Sequence, residues 1–323
     1  MDCDILFASV AASDYTVIDK LAVGGTAEIF RASRRRDDGV EIVVIKRLSP
    51  LSRADEDLRT LFELEGDLGR RLTHPHIAKL LEIGFDGSDL FIVFEYLDGP
   101  NLQRLLDELR GRQRLCPFSL AAAILADLLD ALDFAHNLKT PSGESVGMVH
   151  RDVNPRNVLT SFEGRVALID FGIARTQGFE GGRPEEVVRG KLGSIAPEQL
   201  RREPLDHRAD LFAAGALAYE LLIGSHPFKH TGTPEEQVLE AILSGDFIPC
   251  ARIAPELPKP VCEMVDAALS PRVERRPASG AEMSAVLAPH RETQAQTTLS
   301  QILRTLFPSQ LASVESLRYL AGA

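Results

Sequence analysis

Short stretches rich in β-branched residues fill the first third of the chain, and clusters of Gly and Asp separate several of them. They predict β-strands at residues 15–23, 27–32, 41–48, 77–85 and 90–95. Between the third and fourth of these, apolar residues recur about every 3.6 residues over positions 54–72, which predicts a helix. This part of the sequence therefore predicts a small sheet that carries one helix.

Longer apolar patterns with a helical period dominate the chain after residue 98. They predict helices at residues 102–110, 120–138, 209–223, 235–243 and 260–269, and two more apolar-periodic pieces at 299–307 and 311–320. The pattern predicts an α+β fold with a small β-rich lobe and a larger, mainly α lobe. These patterns divide the chain into an N-terminal extension at 1–14, the small lobe at 15–97, the large lobe at 98–290 and a C-terminal helical extension at 291–323.

Composition places the chain among globular proteins, because 44% of its 323 residues are hydrophobic and 26% are charged. The two most apolar stretches, residues 120–132 and 211–223, contain acidic residues and are shorter than the roughly 20 residues of a membrane span. Residues 1–4 are acidic, whereas a secretory signal begins with basic residues. We therefore expect a cytoplasmic protein without a membrane span.

Net charge and cysteine spacing argue against a nucleic-acid-binding protein and against a cysteine-based metal site. Lys and Arg total 36 against 47 Asp and Glu, which gives a net charge of −11 and argues against a nucleic-acid partner, since such binding requires neutralisation of phosphates. The four cysteines have no spacing typical of a metal site, and we expect reduced thiols. They are Cys3, Cys116, Cys250 and Cys262.

Four short signatures follow one another in a fixed order. They are a glycine-containing turn at residues 21–30 (LAVGGTAEIF), a strand end at 43–46 (VVIK), a loop at 150–157 (HRDVNPRN) and a triplet at 170–172 (DFG), with Ala-Pro-Glu at 196–198 closing the segment. Phosphoryl transfer requires a cation for the phosphates, oxygen ligands for a metal and a carboxylate that orients a hydroxyl. Each of these parts has a candidate within the signatures.

This ordered set resembles the signatures of the eukaryotic-like (Hanks-type) serine/threonine protein kinases of bacteria. The resemblance extends over residues 15–289, and the loop without a lysine after Asp152 is similar to that of a proteobacterial branch of the family. The resemblance implies the bilobal protein kinase fold, with ATP and Mg²⁺ in the cleft between the lobes. It also implies transfer of the ATP γ-phosphoryl group to Ser or Thr hydroxyls of protein substrates, in bacterial signalling.

By this resemblance, three residues of the loop and the triplet take part in the chemistry. Asp152 resembles the catalytic carboxylate that orients the substrate hydroxyl and accepts its proton. Asn157 and Asp170 resemble the two groups that hold Mg²⁺, for which hard oxygen ligands are suitable. Asn157 is thus implied in both catalysis and metal binding.

Lys46 resembles the lysine that binds the phosphates, and a charge at the end of an apolar strand needs a partner of opposite charge. Glu65 is a better candidate for that partner than Glu63, because Phe62 and Leu68 frame it on the apolar face of the predicted helix. The other residues that the resemblance places at the nucleotide are Ala22, Gly24, Gly25, Ile29, Val44, Glu95, Leu97 and Leu159.

Three further residues resemble parts of the family's architecture. Asp210 resembles the helix residue that holds the backbone of the catalytic loop. Glu198 and Arg276 resemble a buried ion pair that fixes the end of the segment after the triplet. We expect these three residues to stabilise the fold and take no direct part in the chemistry.

The sequence departs from the family pattern at several positions. Ala22 and Ala27 replace the first and third glycines of the glycine-rich loop. Asn154 stands where serine/threonine kinases usually have a lysine that contacts the transferring phosphate. In the family, the residue at the position of Lys191 packs near this point, and we therefore include Lys191 among the catalytic residues as a replacement cation. Arg156 is a rival source of that charge and matches an arginine of tyrosine kinases.

Two other functions compete with a protein kinase. A pseudokinase would keep the fold, bind nucleotide weakly or not at all, and act as a scaffold, but every core residue of the family pattern is present and favours catalysis. A kinase for a small molecule is less favoured, because the Ala-Pro-Glu segment and the helix after it resemble those of protein kinases.

Overall fold

The computed structural model describes residues 10–11, 14–24, 26–37, 39–50, 52–87, 89–171, 193–230 and 232–322. The smaller lobe is one sheet, whose strands are β1 (Val10–Ala11), β2 (Tyr15–Val23), β3 (Ala27–Arg36), β4 (Gly39–Leu48), β5 (Leu80–Asp86) and β6 (Asp89–Glu95). They lie in the order β1-β5-β6-β4-β3-β2. Neighbouring strands are antiparallel, apart from β1, which pairs with β5 in parallel. The predicted sheet is confirmed, with small differences in strand ends.

The helix of this lobe, α1 (Glu56–Gly69), is capped by Asp55, whose side chain accepts hydrogen bonds from the N–H groups of Asp57 and Leu58. Small residues bring α1 close to the sheet. A Cβ atom at Gly66 would lie only 2.7 Å from Cδ1 of Ile83 on β5, so a larger side chain would push the helix outward. This close approach sets the distance between α1 and the neighbouring strands.

The predicted strand at residues 77–85 is wrong at its start, because β5 begins only at Leu80. The backbone leaves the sheet just before it: the carbonyl of Lys79 still accepts from the N–H of Glu95 on β6, but the N–H of Ala78 donates to the carbonyl of Leu168 in the larger lobe. This segment therefore ties the small lobe to the larger one, and local sequence pattern does not distinguish it from a strand.

The larger lobe has a hydrophobic core built around α3 (Phe118–His136) and α5 (Arg208–Ile223). Every residue of α5 from Ala209 to Leu222 is buried, as expected for a helix that other elements surround. A two-stranded antiparallel ribbon of β7 (Val158–Thr160) and β8 (Val166–Leu168) lies below the sheet of the smaller lobe. The other helices of this lobe are α2 (Leu102–Gly111), α4 (Pro197–Arg201), α6 (Glu235–Ser244), α7 (Cys250–Ile253), α8 (Lys259–Ala268) and α9 (Gly280–Leu287).

Two helices follow this lobe, α10 (Ala295–Leu306) and α11 (Pro308–Gly322), where the sequence predicts two apolar-periodic pieces. α10 packs against α3, and its residues Leu299 and Leu303 belong to the core. Within the described ranges, no helix combines the length and the apolar character needed to cross a bilayer.

Candidate active site

A cleft of about 660 Å³ separates the sheet from the larger lobe. Apolar side chains line its two walls, with Ile29 and Val44 on the sheet and Leu159 on β7. The segment that joins the lobes, from Glu95 to Leu97, closes one end of the cleft. This geometry gives a flat, apolar slot between two walls, with the backbone of the joining segment at its edge.

The joining segment is held in place by the carboxylate of Glu95. Arg165, between β7 and β8, donates to both oxygens of Glu95 at 2.6 and 2.8 Å. The backbone N–H of Lys79 donates to the same carboxylate at 2.6 Å. The side chain of Glu95 therefore anchors the connection between the lobes to the ribbon of the larger lobe.

Charged groups meet at the opposite end of the cleft. Lys46, near the end of β4, forms an ion pair with Glu65 of α1, and its Nζ lies 3.3 Å from Oδ1 of Asp170. Burial acts to lower the pKa of Lys46, but the carboxylates of Glu65 and Asp170 raise it above its ordinary value. Lys46 is thus a fixed cation, and the choice of Glu65 over Glu63 as its partner is confirmed.

Asp170 has a left-handed backbone conformation (φ +56°), which is uncommon for a residue other than glycine. Its side chain is 45% exposed to the cleft, whereas the next residue, Phe171, is buried with its ring centroid 4.6 Å from that of His150. Burial lowers the pKa of His150, so the ring is neutral and its Nε2–H donates to the carbonyl of Ile169 at 3.0 Å. The buried ring pair fixes the backbone on which Asp170 points its carboxylate into the cleft.

Two asparagines hold the carboxylate of Asp152. Nδ2 of Asn157 donates to Oδ2 of Asp152 at 3.0 Å, and Nδ2 of Asn154 donates to Oδ1 at 3.1 Å. Both amides also donate to the backbone carbonyl of Asp152, at 2.8 and 2.9 Å. Because the amide nitrogen of Asn157 donates to Asp152, the amide oxygen of Asn157 is the atom suited to bind a cation. The contact from Asn154 was not expected from the sequence.

We expect Asn154→Ala to lower kcat about tenfold or more, because a hydrogen bond to a charged group contributes about 1.5–3 kcal/mol and orients Asp152 here. The KM for ATP should stay within about twofold, since the change leaves Lys46 and Asp170 untouched. Steady-state kinetics of the variant against the unmodified chain tests this. An unchanged kcat would show that Asn157 alone is sufficient to orient the carboxylate.

The backbone of the loop before Asp152 is held by Asp210 at the start of α5. The N–H groups of His150 and Arg151 donate to its two carboxylate oxygens, each at 2.7 Å, and His136 Nε2 lies 2.8 Å from Oδ2. Burial acts to raise the pKa of Asp210, but these hydrogen bonds and the nearby histidines hold it below its ordinary value. The predicted role of Asp210 in the architecture is confirmed.

Asp210→Ala should therefore lower the free energy of unfolding by about 3 kcal/mol or more, because buried N–H groups lose their acceptor. Asp206→Ala provides a control four residues earlier in the chain: its side chain is 43% exposed and bonds to the side chain and the backbone N–H of Arg208, so we expect a smaller loss of about 1 kcal/mol. Urea unfolding of both variants measures the difference. Equal losses would contradict the role given to Asp210.

The segment after Asp170 ends at a buried ion pair. Arg276 donates through two nitrogens to the two carboxylate oxygens of Glu198, each at 2.7 Å, and both side chains are almost completely buried. Arg276 also donates to the carbonyl of Ser270 at 2.9 Å. The predicted pair is confirmed, and it fixes the start of α4 to the core of the larger lobe.

Most of the residues that the sequence places at the nucleotide do line the cleft. They are Ala22, Ile29, Val44, Lys46, Glu65, Glu95, Leu97 and Leu159, together with the predicted metal-binding residues Asn157 and Asp170. Gly24 does not line it; its N–H donates to the carbonyl of Ala27 at 2.8 Å and closes the turn after β2. Gly25 and Lys191 lie outside the described residues. Gln310, Ser313 and Val314 of α11 also line the cleft, and nothing in their local sequence indicates this.

An amide oxygen and a carboxylate at the charged end of the cleft are hard ligands of the kind that Mg²⁺ prefers. Within the described ranges, no three His, Cys, Asp or Glu side chains converge to form a complete metal site. Mg²⁺ commonly keeps few protein ligands and completes its shell with phosphate oxygens and water. Asn157 and Asp170 therefore fit a metal that binds together with a phosphorylated ligand.

Comparison with known proteins supports this picture. Residues 15–288 match the family described as protein kinase domain. The chain is 37% identical over 247 residues to the tyrosine-protein kinase MasK of Myxococcus xanthus, covering 76% of this chain and 38% of MasK. It is 32% identical over 284 residues to the serine/threonine-protein kinase PknL of Mycobacterium tuberculosis, covering 88% of this chain and 67% of PknL.

A solved structure shows the same architecture. The crystal structure of the Mycobacterium tuberculosis PknI kinase domain superposes with a TM-score of 0.61 at 26% identity, covering 90% of this chain and 99% of that one. The expected fold, a β-rich lobe with one helix above a larger helical lobe, is confirmed. The match to the family model extends over most of the sequence and includes every signature described above. The chain belongs to the protein kinase family.

Proposed function

We propose that this protein transfers the γ-phosphoryl group of ATP to Ser or Thr hydroxyls of protein substrates, in bacterial signalling. The observation that carries the proposal is the contact of Lys46 with both Glu65 and Asp170 at the charged end of the cleft. This arrangement is the one that phosphoryl transfer needs: a fixed cation for the phosphates beside a carboxylate for the metal. The apolar slot at the other end suits a planar base.

In the proposed reaction, Lys46 binds the phosphates of ATP, and Asp152 orients the substrate hydroxyl and accepts its proton. Asn157 and Asp170 would hold Mg²⁺, which would neutralise charge on the phosphate oxygens. A bond forms between the hydroxyl oxygen and the γ-phosphorus, the bond from that phosphorus to the β–γ bridging oxygen breaks, and ADP leaves. Asn154 and Asn157 keep the Asp152 carboxylate aligned during this step.

The preference for Ser and Thr rests on the relatives and on the overall order of the signatures, and not on the loop at 150–157, where Asn154 and Arg156 depart from the serine/threonine pattern. PknL of Mycobacterium tuberculosis and PkaA of Streptomyces coelicolor are serine/threonine-protein kinases at 32% identity, whereas MasK is a tyrosine-protein kinase at 37%. The chain spans 38% of MasK and 48% of PkaA but 67% of PknL, so PknL is the better guide among them to the activity of this chain. A pseudokinase scaffold finds no support in the geometry, because Lys46, Asp152 and Asp170 are all held in position.

Phosphoamino-acid analysis tests the proposal. The purified protein is incubated with γ-labelled ATP, Mg²⁺ and a generic protein acceptor, alongside Asp170→Ala, and the labelled acceptor is hydrolysed to its amino acids. The proposal predicts label on phosphoserine or phosphothreonine that depends on Asp170. Label on phosphotyrosine alone would overturn the substrate class, and absence of Asp170-dependent label in a folded protein would overturn the activity.

A cation near the transferring phosphate is the remaining requirement, because Asn154 occupies the usual lysine position and donates to Asp152. We propose that Lys191 supplies this charge. The rival, Arg156, lines the cleft. Two unit charges about 4 Å apart interact by roughly 4 kcal/mol at an effective dielectric near 20, which is enough to change turnover several hundredfold.

On this proposal, Lys191→Ala should lower kcat by about 10²-fold, and Arg156→Ala should lower it much less. Asn154→Lys in the Lys191→Ala background should restore part of the loss. The measurement is kcat at saturating ATP for the three variants. A normal kcat for Lys191→Ala together with a low kcat for Arg156→Ala would assign the charge to Arg156 instead.

A further inference from the structure

The last helix, α11, lies outside residues 15–288 that match the protein kinase family, yet it reaches the cleft. It packs against β4 of the smaller lobe. Gln310, Ser313 and Val314 line the same cleft as Lys46 and Asp170. A segment from outside the residues that match the family therefore forms part of the surface that a ligand of the cleft would meet.

Specific polar contacts fix α11 beside the segment that joins the two lobes. Arg318 forms an ion pair with Asp98, which is 4% exposed, and donates to Glu163 at 3.1 Å. Gln310 bonds through both ends of its amide: Nε2 donates to the carbonyl of Asp98 at 3.2 Å, and Oε1 accepts from Arg104 at 2.5 Å. Because Asp98 follows the joining segment directly, these bonds hold the helix at that end of the cleft.

Apolar contacts bury the same side of the helix. Val314 is 3% exposed and belongs to the core of the larger lobe, as does Phe307 just before the helix. The guanidinium of Arg104 lies over the ring of Phe307, 5.2 Å from its centroid. The helix thus has a buried, specifically bonded face, so its position beside the cleft is a property of the folded protein.

The volume of the cleft shows whether α11 forms a wall or a plug. With the helix in place, the cleft still measures about 660 Å³. Pockets that bind small molecules typically measure about 300–1,000 Å³, so the space that remains is sufficient for a nucleotide. The helix is therefore a boundary of the cleft and leaves it open.

The two ends of the cleft differ in chemistry. Lys46 and Asp170 supply the charges at the end suited to phosphates. The residues of α11 stand at the opposite end, with Gly99 and Asn101, which follow the joining segment. A nucleotide with its phosphates at Lys46 would present its base and sugar to this end.

We propose that α11 is a wall of the ATP site, at which Gln310 and Ser313 face the sugar and the outer edge of the base. The inference rests on the proposed function, since it assumes that ATP occupies the cleft. It assigns part of the affinity for ATP to a helix outside the residues that match the family. Ser313 is the most informative position, because it is exposed to the cleft and a larger side chain there would occupy the space of the nucleoside.

Two serines of α11 form a matched pair for the test. Both are exposed, and each donates to the carbonyl four residues earlier: Ser313 to Ser309 at 3.0 Å and Ser316 to Ala312 at 2.9 Å. Only Ser313 lines the cleft. We expect Ser313→Phe to raise the Kd of Mg²⁺-ATP at least tenfold and Ser316→Phe to change it less than twofold. Calorimetric titration of the two variants, each made in the whole 323-residue chain, gives both values, with melting temperatures as a check of folding.

A third variant separates a wall from an inhibitory plug. Arg318→Ala removes the ion pair to Asp98, and release of a wall should weaken ATP binding severalfold, whereas release of a plug would tighten it. Equal Kd values for Ser313→Phe and Ser316→Phe, or tighter binding by Arg318→Ala, would overturn the inference while leaving the proposed function intact. Absence of ATP binding by the unmodified protein would overturn both.

Discussion

Replacing Lys46 by methionine is expected to lower turnover about 10²- to 10³-fold, because a preorganised charge in a water-poor cleft contributes roughly 3–4 kcal/mol to transition-state stabilisation. Methionine has a similar length and fills the same space without the charge. Lys46 is only 14% exposed, and its ammonium lies between Glu65 and Asp170. A neutral side chain at this position therefore cannot supply the positive charge. The measurement is kcat with a protein acceptor at saturating ATP.

Two glutamates of α1 provide the control for this prediction. Glu65→Gln weakens the contact that positions Lys46, and we expect turnover to fall by about tenfold or more, in line with the loss of one charged hydrogen bond. Glu63→Gln changes an exposed residue of the same helix and should leave turnover within about twofold. Near-normal turnover of Lys46→Met, or equal effects of the two glutamine variants, would contradict the assignment of Lys46 and Glu65.

The second large effect is expected at Asp152. Asp152→Asn keeps the shape of the side chain but removes its capacity to accept a proton, and we expect kcat to fall by about 10²- to 10⁴-fold. Binding of Mg²⁺-ATP should remain within about fivefold, since Lys46 and Asp170 keep their contacts. The two quantities are measured on the same preparation, by acceptor phosphorylation and by calorimetric titration.

This split between turnover and binding distinguishes Asp152 from a merely structural residue. A structural defect would lower both quantities together and would also lower the melting temperature. Parallel loss of ATP binding and stability in Asp152→Asn would therefore contradict the catalytic role. Loss of turnover with binding and melting temperature retained would support it.

Local pattern in the sequence was sufficient to predict most helices and strands and the charged residues at one end of the cleft. The spacing of apolar residues around Glu65 placed it on the inner face of α1, and the structure pairs it with Lys46. Asp210 could be assigned because the family pattern fixes its position relative to the loop that it holds. In each case the residue lies in a short stretch whose period or motif is visible in the sequence, although its partner lies elsewhere in the chain.

Features that no period or motif marks in the sequence could not be predicted in this way. The strand β5 starts only at Leu80 because the backbone N–H of Ala78 bonds to Leu168 of β8, which lies 90 residues along the chain. Asn154 looks like the loss of a lysine, yet its amide holds the carboxylate of Asp152. The position of α11 beside the cleft depends on Arg318 and Asp98, which are 220 residues apart.

The central claim is that the cleft lined by Lys46, Asn157 and Asp170 binds ATP for phosphoryl transfer, and a single-turnover experiment tests it most directly. The protein is held in excess over γ-labelled ATP with Mg²⁺ and an acceptor protein, and the reaction is stopped at successive times to separate labelled acceptor, ATP and free phosphate. The account predicts that label moves from ATP to the acceptor in one exponential phase and that Asp170→Ala abolishes this phase. ATP that is bound by the unmodified protein but remains intact would contradict the account and would identify the protein as a nucleotide-binding scaffold.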